Sequence, residues 1–541
     1  MPNAMDIKAF ILLMIALSFA AFFRPKVKDD PISNRVVLFW FVAATILMLA
    51  AVVWVRFLLL AIAAIILAPK EMDYRPAFYL TAIVAIVSRM QYRVPFPGIN
   101  YLIVIDPAMM VALAVGIPAL IGFMVQRPKD DPRAGTPGTD FLVLFLVGLT
   151  AFLLSRGANA TFTNTLRNII LQFTILYIPY AVMSRGLANW NAIRALVIAT
   201  MTNGVMMVAA GLMCWAMNWN LYFQAATFVE MMAAFYRSGA VRVAVTTEPT
   251  VIGICLTAFM MALWFLRKQL TTSKIFIWGW LGGGLFILLA TQARGAYLTA
   301  MAAGAALLVC KIKSVGARIA LVTGLGAVMI TLYLALSASG FESVDKYGTF
   351  EYRQELLEAS VKEVKGSPFF GNPDYYNSPN FQHLWQGDGI IDFVNTYVQY
   401  ALKFGLIGLM LHILLFSNAG LRSIKHADRL RFGSGPLTDD GSAGIGYGVA
   451  ALMAGMMAMI MTISTVSYIE PFLSILVGTA AAYARVTKAN LASATPLSAV
   501  TASPQPEPAP QPHEEAAKPN ALPGRKPFEI DVTPGPRGWS G

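Results

Sequence analysis

The residues of this chain best placed to do chemistry are arginines that stand where charge is otherwise almost absent. Arg237, Arg242 and Glu248 lie in YRSGAVRVAVTTEP, just ahead of an apolar run that begins after Pro249. Arg294 sits in ATQARGAYL between two uncharged runs, and Arg353 in TFEYRQELLEASVKEVKGSPFFGNP. A guanidinium makes bidentate contacts to phosphate oxygens that an ammonium does not reproduce. A charge at a membrane edge is also costly enough to mark a site. The structural alternatives are an anchor that snorkels to the headgroups for Arg237 and Arg242, and a salt bridge to Glu351 or Asp345 for Arg353. With Gly295 beside it, Arg294 reads as part of a tight corner between helices. On a helix over 351–365, Arg353, Leu357, Ser360 and Val364 share one face, which predicts that Arg353 looks down toward the membrane domain.

A second set of residues is suited to proton transfer. HLWQGDGIIDFVNTYVQYALKFGLIGLML holds His383, Asp388, Asp392 and Asn395 just before and into another apolar span. A neutral imidazole or a carboxylate takes a proton from a hydroxyl within hydrogen-bond reach, which makes Asp392, His383 and Glu248 the candidate bases. Asp392 and Asn395 stand one turn apart on a helix, so they either bind one ligand together or cap the span. Tyr375, Tyr376, Phe381, Trp385 and Tyr397 offer faces for sugar rings, with membrane-belt packing as the structural alternative.

These residues need a frame, and the composition says which. The 541 residues are 57% hydrophobic and 13% charged, against about 25% charge in soluble domains. That predicts an all-α polytopic membrane protein and excludes a soluble enzyme, a fibre and a disulfide scaffold. The excess of 41 Lys and Arg over 29 Asp and Glu reports topology rather than nucleic-acid binding, because the basic residues gather in short loops such as 24–35. Cys214, Cys255 and Cys310 lie in apolar stretches without paired spacing. No P-loop and no H-E-x-x-H motif occurs, and with four histidines in all no metal site is expected.

Apolar runs near 8–23, 36–68, 78–124, 141–155, 164–184, 194–218, 251–266, 275–310, 319–337, 395–417 and 444–485 predict about 13 to 15 transmembrane helices, since several runs must be pairs. The run 36–68 is too long for one span and holds Arg56; 275–310 is broken at Gln292 and Arg294. Met1 to Phe23 reads as a first span rather than a signal peptide. The basic loops 267–274, 311–318 and 422–431 are expected in the cytoplasm. Counting helices from them puts 219–250, the Arg294 tip and one long, partly helical loop over 338–394 on the opposite, external side. The transmembrane domain is expected over 1–485, and the Pro-, Ala- and Glu-rich stretch 486–541 as a disordered cytoplasmic tail.

The ARGAYL corner, the R-x-x-L-L-x-x-S helix running into SPFFGNP and the VNTYVQYALKFGLIGL entry resemble the bacterial family of O-antigen ligases and O-antigen or exopolysaccharide polymerases, the Wzy-like group. RSGAVR...TTEPTVIG looks like that family's other external arginine segment. The resemblance covers about residues 200–480. It implies an inner-membrane glycosyltransferase that takes an undecaprenyl-diphosphate-linked oligosaccharide as donor at the periplasmic face, without metal or cofactor. Membrane lipid and chain-length regulators or export proteins are the implied partners, and nucleic acid is not. Arg242, Arg294 and Arg353 would hold the diphosphate, and Arg237, Asn395, Tyr397 and Trp385 would line the substrate site. Many relatives carry His-Asn where this chain has Val394-Asn395. That departure favours a polymerase over a ligase and leaves the base among Asp392, His383 and Glu248. From another class, a lipid-linked oligosaccharide flippase also needs many helices and buried arginines.

Overall fold

The computed structural model describes residues 7–87, 90–97, 101–125, 137–157, 161–221, 236–237, 240–321, 323–324, 349–385, 391, 393, 395–432, 440–463 and 469–494. The chain divides into two units, Met1–Thr495 and Pro496–Gly541, and the second lies outside the described residues.

The first unit is a helical bundle. Its helices are α1 Ile7–Phe23, α2 Ser33–Leu49, α3 Val53–Leu67, α4 Arg75–Ala85, α5 Pro107–Val125, α6 Pro137–Leu154, α7 Phe162–Gly186, α8 Trp190–Ala216, α9 Pro249–Leu266, α10 Lys274–Ala290, α11 Arg294–Lys311, α12 Thr349–Gly366, α13 Thr396–Phe432, α14 Asp440–Met459 and α15 Glu470–Ala494. Two short antiparallel hairpins pair 92–93 with 104–105 and 236–237 with 240–241. Among the described residues, 6 helices are long and apolar enough to cross a membrane, and α1, α2, α3, α10 and most of α6 are shorter apolar helices.

The long runs break where the sequence predicts. Between α2 and α3 the chain opens at 50–52, and the buried Arg56 returns its Nε to the Ala50 carbonyl (2.6 Å). The prolines within α5 and α7 leave a mark as well. Pro118 and Pro179 lack the N–H an α-helix needs, and the turn before each widens into π geometry, with Ile117 donating to Ala112 and Ile178 to Phe173. Two boundaries differ from expectation. The basic stretch 422–431 is not a loop but the continuation of α13, and α15 runs to Ala494, past the expected start of the tail. No proline interrupts either stretch, and Arg485 is tied to the carbonyls of Ser184 and Leu187.

At the centre, α8 is buried along most of its length and packs against α1, α2, α4, α9 and α10. Polar side chains on it are paired in the apolar interior. Trp40 donates to Asn203 Oδ1 (2.8 Å), Asn203 donates to Thr81 Oγ1 (3.0 Å), and Thr81 closes on the Ala77 carbonyl. This chain of bonds stitches α2, α8 and α4 together.

The same helix separates the two ends of the bundle, because 27 residues rise about 40 Å. Near its start, Arg194 donates to the Lys28 carbonyl (2.9 Å) and to Gln269 (3.2 Å), and Val27 bridges to Leu270. The basic loops 24–35 and 267–274 thus meet at this end. Past its other end, Asn220 contacts the Arg242 segment (2.8 Å).

The segment SPFFGNP docks on a break in α13. Gly405 takes a left-handed conformation (φ 68°) and Gly371 does the same (φ 65°). Leu406 donates to the Pro368 carbonyl (2.8 Å), Ile407 to Phe369 (3.3 Å) and Asn372 to Leu402 (2.7 Å). The backbones approach so closely that a Cβ at Gly405 would collide with the Phe369 carbonyl. Gly405→Ala is expected to cost about 1–3 kcal/mol for the left-handed backbone alone, read as a lower melting temperature in detergent. An unchanged melt would contradict this docking.

Candidate functional site

The site is built where the extended segment Arg242–Glu248 crosses the end of the bundle away from the basic loops. Val243 to Thr247 are buried yet belong to no helix or strand. Buried irregular backbone needs a partner for each polar group, and here partners come from three directions. Asn220 takes both sides of one turn, donating to the Arg242 carbonyl (2.8 Å) and accepting from the Ala244 amide (2.9 Å). Val243 donates to the Ala290 carbonyl (3.2 Å), and the Thr246 hydroxyl donates to Val84 (2.6 Å) at the end of α4.

Arg242 is half-buried and its Nε donates to the Thr291 carbonyl (3.1 Å). That carbonyl lies just past the C-terminus of α10, where a cation is favoured. Three residues on, Arg294 opens α11 and is exposed. The corner between α10 and α11 is turned by Gln292, which has a positive φ of 48°, and not by Gly295. Gly295 serves close packing instead: a Cβ there would stand 2.7 Å from Thr250 Cγ2 in the first turn of α9. Gly253 and Ala296 pack just as tightly one turn further in.

This packing sets the N-termini of α9 and α11 side by side, and neither is capped by a side chain. Pro249 is the first residue of α9, and the Glu248 side chain makes no cap hydrogen bond. Ala293, which precedes α11, has no side chain able to make one. No N-cap side chain takes up the amides of either first turn, and uncapped helix starts are where anions bind. The start of α13 reaches the same place, since Thr396 donates through its amide to Ile460 (2.9 Å) and through its hydroxyl to Ile463 (2.8 Å), and Ile463 lies 3.3 Å from the Cβ position of Gly295. Unlike its neighbours, this helix is capped. Asn395 Oδ1 accepts from the amides of Tyr397 (2.9 Å) and Val398 (3.3 Å).

The remaining candidates stand on the long loop or outside the description. α12 buries Leu356, Ala359 and Ser360 against Phe381, Leu384, Ile391 and Phe393. The expected face is therefore corrected: Leu357 is 53% exposed and Arg353 is exposed with it, while Ser360 is buried as expected. The cause is Tyr375, Phe381, Leu384, Ile391 and Phe393, which cover the neighbouring stripe of α12. His383 and Trp385 are exposed on the same loop, joined to α12 where Tyr352 donates to the Leu384 carbonyl (3.2 Å). Tyr375 and Phe381 are almost fully buried in the loop's core and present no face for a sugar. The hydroxyl of Tyr397 donates to the Met457 carbonyl (2.9 Å). Arg237 lies opposite Ala240 in its hairpin, and its side chain, like all of Asp388, Asp392 and Val394, lies outside the described residues. The structure thus brings Arg242, Glu248, Arg294 and Asn395 to one corner, and Arg353, His383 and Trp385 to the loop.

Sequence reasoning missed the neutral groups that hold this frame, Asn220, Thr246 and Thr396, because an uncharged polar residue at the end of an apolar run carries little signal. It also passed over Glu363, whose carboxylate accepts from Asn372 (2.9 Å), Ser378 (2.5 Å) and Asn380 (2.9 Å). Burial pushes this carboxyl up, but the three hydrogen bonds outweigh burial and hold it below the usual carboxylate range. Among the described residues, no group of three or more His, Cys, Asp or Glu is placed to hold a metal ion.

A helical bundle with several spans long and apolar enough to cross a membrane, and an exposed arginine beside two helix starts without side-chain caps, defines a multi-pass membrane protein. Residues 279–413 match the family model described as O-antigen ligase, which supports an O-antigen ligase/Wzy-like family for this chain. That family points to a glycan-transferring membrane enzyme acting on lipid-linked glycan. The matched segment contains Arg294, Arg353, His383, Trp385, Asn395 and Tyr397 and leaves out Arg242 and Glu248. No curated protein matches the chain.

Glu363 gives the loop a testable pH dependence. Its folded carboxyl lies below the unfolded value of about 4.3, so its stabilisation is complete above that value and is lost as pH falls through the folded one. The melting temperature of Glu363→Gln is expected to lie below wild type at pH 7, with the gap closing as the pH drops through that range. A gap that stays constant would contradict the role assigned to the carboxylate.

Proposed function

We propose that the chain is an inner-membrane glycosyltransferase that polymerises undecaprenyl-diphosphate-linked oligosaccharide repeat units on the periplasmic face, in O-antigen or exopolysaccharide synthesis. The observation that carries this reading is the pair of N-termini of α9 and α11, without side-chain caps, beside Arg242 and Arg294. In the reaction, the bond from the anomeric carbon of the donor sugar to the diphosphate oxygen breaks. The electron pair leaves with the diphosphate, and the acceptor hydroxyl oxygen bonds to that carbon. Charge builds on the leaving oxygen, and preorganised donors aimed at it lower the barrier. Arg294 and the first-turn amides of α9 and α11 are those donors, with Arg242 held beside them. Arg353, on the exposed side of α12, meets the same diphosphate from the loop.

The acceptor hydroxyl loses its proton as the new bond forms. Glu248 stands at the corner itself, His383 comes from the loop with Arg353, and Asp392 precedes α13. Arg237, Asn395, Tyr397 and Trp385 line the substrate path around them, Asn395 by setting the start of α13. Periplasmic placement is supported by the position of the corner at the end of α8 opposite the basic loops 24–35 and 267–274. The ligase reading, transfer to a lipid A core, uses the same donor corner and is favoured by the matched family's description. Val394 at the usual histidine position is the reason to prefer the polymerase.

The test is reconstituted protein given undecaprenyl-diphosphate-linked repeat units, with chain length followed on a gel. Wild type is expected to give a ladder. Arg294→Ala is expected to slow it about 10²–10³-fold, the usual cost of one transition-state donor, and Arg353→Ala to slow it as well. Transfer only when a lipid A core is supplied would show a ligase. No release of undecaprenyl diphosphate under either condition would overturn the enzyme reading in favour of a flippase. Glu248→Gln and His383→Gln assign the base: the variant whose rate falls while donor affinity is retained has lost it.

A further inference from the structure

A cavity with several polar groups in its lining opens at the same end of the bundle as the arginine corner. It measures about 500 Å³ and is lined by Gln91, Tyr101, Asp106, Asn168, Arg167 and Asp374, among others. That volume falls within the roughly 300–1,000 Å³ of small-molecule sites. Its position follows from the helices around it. α6 and α7 are joined at the basic end by Arg185 and Asp140 (3.0 Å), whereas the cavity lies at the last residue of α6, the first turns of α7 and the residue before α5.

The walls are fixed by contacts that do not fill the cavity. Arg167 donates through Nε to the Leu102 carbonyl (2.7 Å), through Nη1 to Asn164 (2.9 Å) and through Nη2 to the Tyr101 carbonyl, with its guanidinium 4.2 Å from the centre of the Tyr101 ring. Asp106 caps α5 by accepting from the Met109 amide (2.7 Å). Asp374 comes from the docked SPFFGNP loop. Its amide donates to Asn372 Oδ1 (3.0 Å), and its carboxylate lies against Gly157. The loop that packs on Gly405 thus also closes one wall of this cavity.

The chemistry of the lining selects among ligands. Asp374 and Asp106 bring carboxylates to the lining, the charge type that repels a diphosphate. Amides, carboxylates and a guanidinium share the lining with the apolar Ile103, Val104, Met109, Leu154 and Leu171, and burying those polar groups against a lipid tail is costly. They suit a neutral polyhydroxyl compound, whose hydroxyls both donate and accept hydrogen bonds. We propose that this cavity binds the acceptor glycan, and that Arg167 and Asp374 contact its hydroxyls. The name acceptor rests on the glycosyl-transfer reading above; the binding of a glycan does not. All of the lining but Pro373 and Asp374 lies outside the matched segment 279–413. Recognition of the acceptor sugars is thereby assigned to the N-terminal half of the chain together with Asp374 of the long loop, and handling of the diphosphate to the corner.

The experiment uses the full chain in nanodiscs and a lipid-free oligosaccharide, released by mild acid from the lipid-linked pool of a strain lacking this protein. Saturation-transfer NMR reads its binding, beside Asp374→Asn, Arg167→Ala and Arg294→Ala. Asp374→Asn and Arg167→Ala are expected to weaken binding about tenfold or more, as loss of a charge-assisted hydrogen bond does, while Arg294→Ala leaves it unchanged. Asp374→Asn keeps the shape of the side chain and decides the matter if Arg167→Ala fails to fold. Binding unaffected by Asp374→Asn, or lost equally in Arg294→Ala, would overturn the proposal. If transfer is absent in the ladder assay but these variants still lose the glycan, the cavity stands and the glycosyl-transfer reading fails. If transfer occurs and the variants bind normally, the cavity alone fails.

Discussion

Two helices that begin side by side without side-chain caps impose a demand on everything around them. The first-turn amides of α9 and α11 carry the positive ends of two helix dipoles, and their closeness depends on Gly295 against Thr250 and Gly253 against Ala296. Positive potential concentrates there, two arginines add to it, and the Glu248 carboxylate directly before α9 offsets part of it. The structure supplies compensation only in part. Arg242 is drawn to the Thr291 carbonyl, at the negative end of α10, whereas Arg294, the first residue of its helix, is exposed. The extended segment Arg242–Glu248 is what brings Arg242 to the corner between α10 and α11, and Asn220, Ala290 and Val84 hold that segment in place.

The long loop is tied to this corner through α13. At one end the capped start of the helix is bonded to Ile460 and Ile463. A short way along, the break at Gly405 receives SPFFGNP, and beyond it Glu363 gathers Asn372, Ser378 and Asn380. One helix thus positions the loop core, Arg353 and one wall of the cavity beside Arg167 together.

Much of this was legible in the sequence, for a physical reason. Charge is so rare in the apolar runs that Arg242 and Arg294 stand out, and both lie at the corner. The breaks around Arg56 and Arg294 were equally plain. What escaped was whatever depends on long-range contact. The face of α12 was misjudged because two stripes fit its periodicity, and only Tyr375, Phe381, Leu384, Ile391 and Phe393 decide that Leu356 and Ala359 are covered rather than Leu357. Asn395 was left open between ligand and cap, and its bonds to Tyr397 and Val398 make it a cap. Asn220 and Glu363 gave no signal, since the first is neutral and the second is one acid among nine in its loop.

The central claim is that the corner receives the diphosphate. The most direct measurement is an electron cryo-microscopy map of the full chain in nanodiscs with undecaprenyl diphosphate. The account predicts phosphate density over the first turns of α9 and α11, within hydrogen-bond distance of the Arg294 guanidinium. Density seated instead in the cavity beside Arg167, with the corner unchanged, would contradict it.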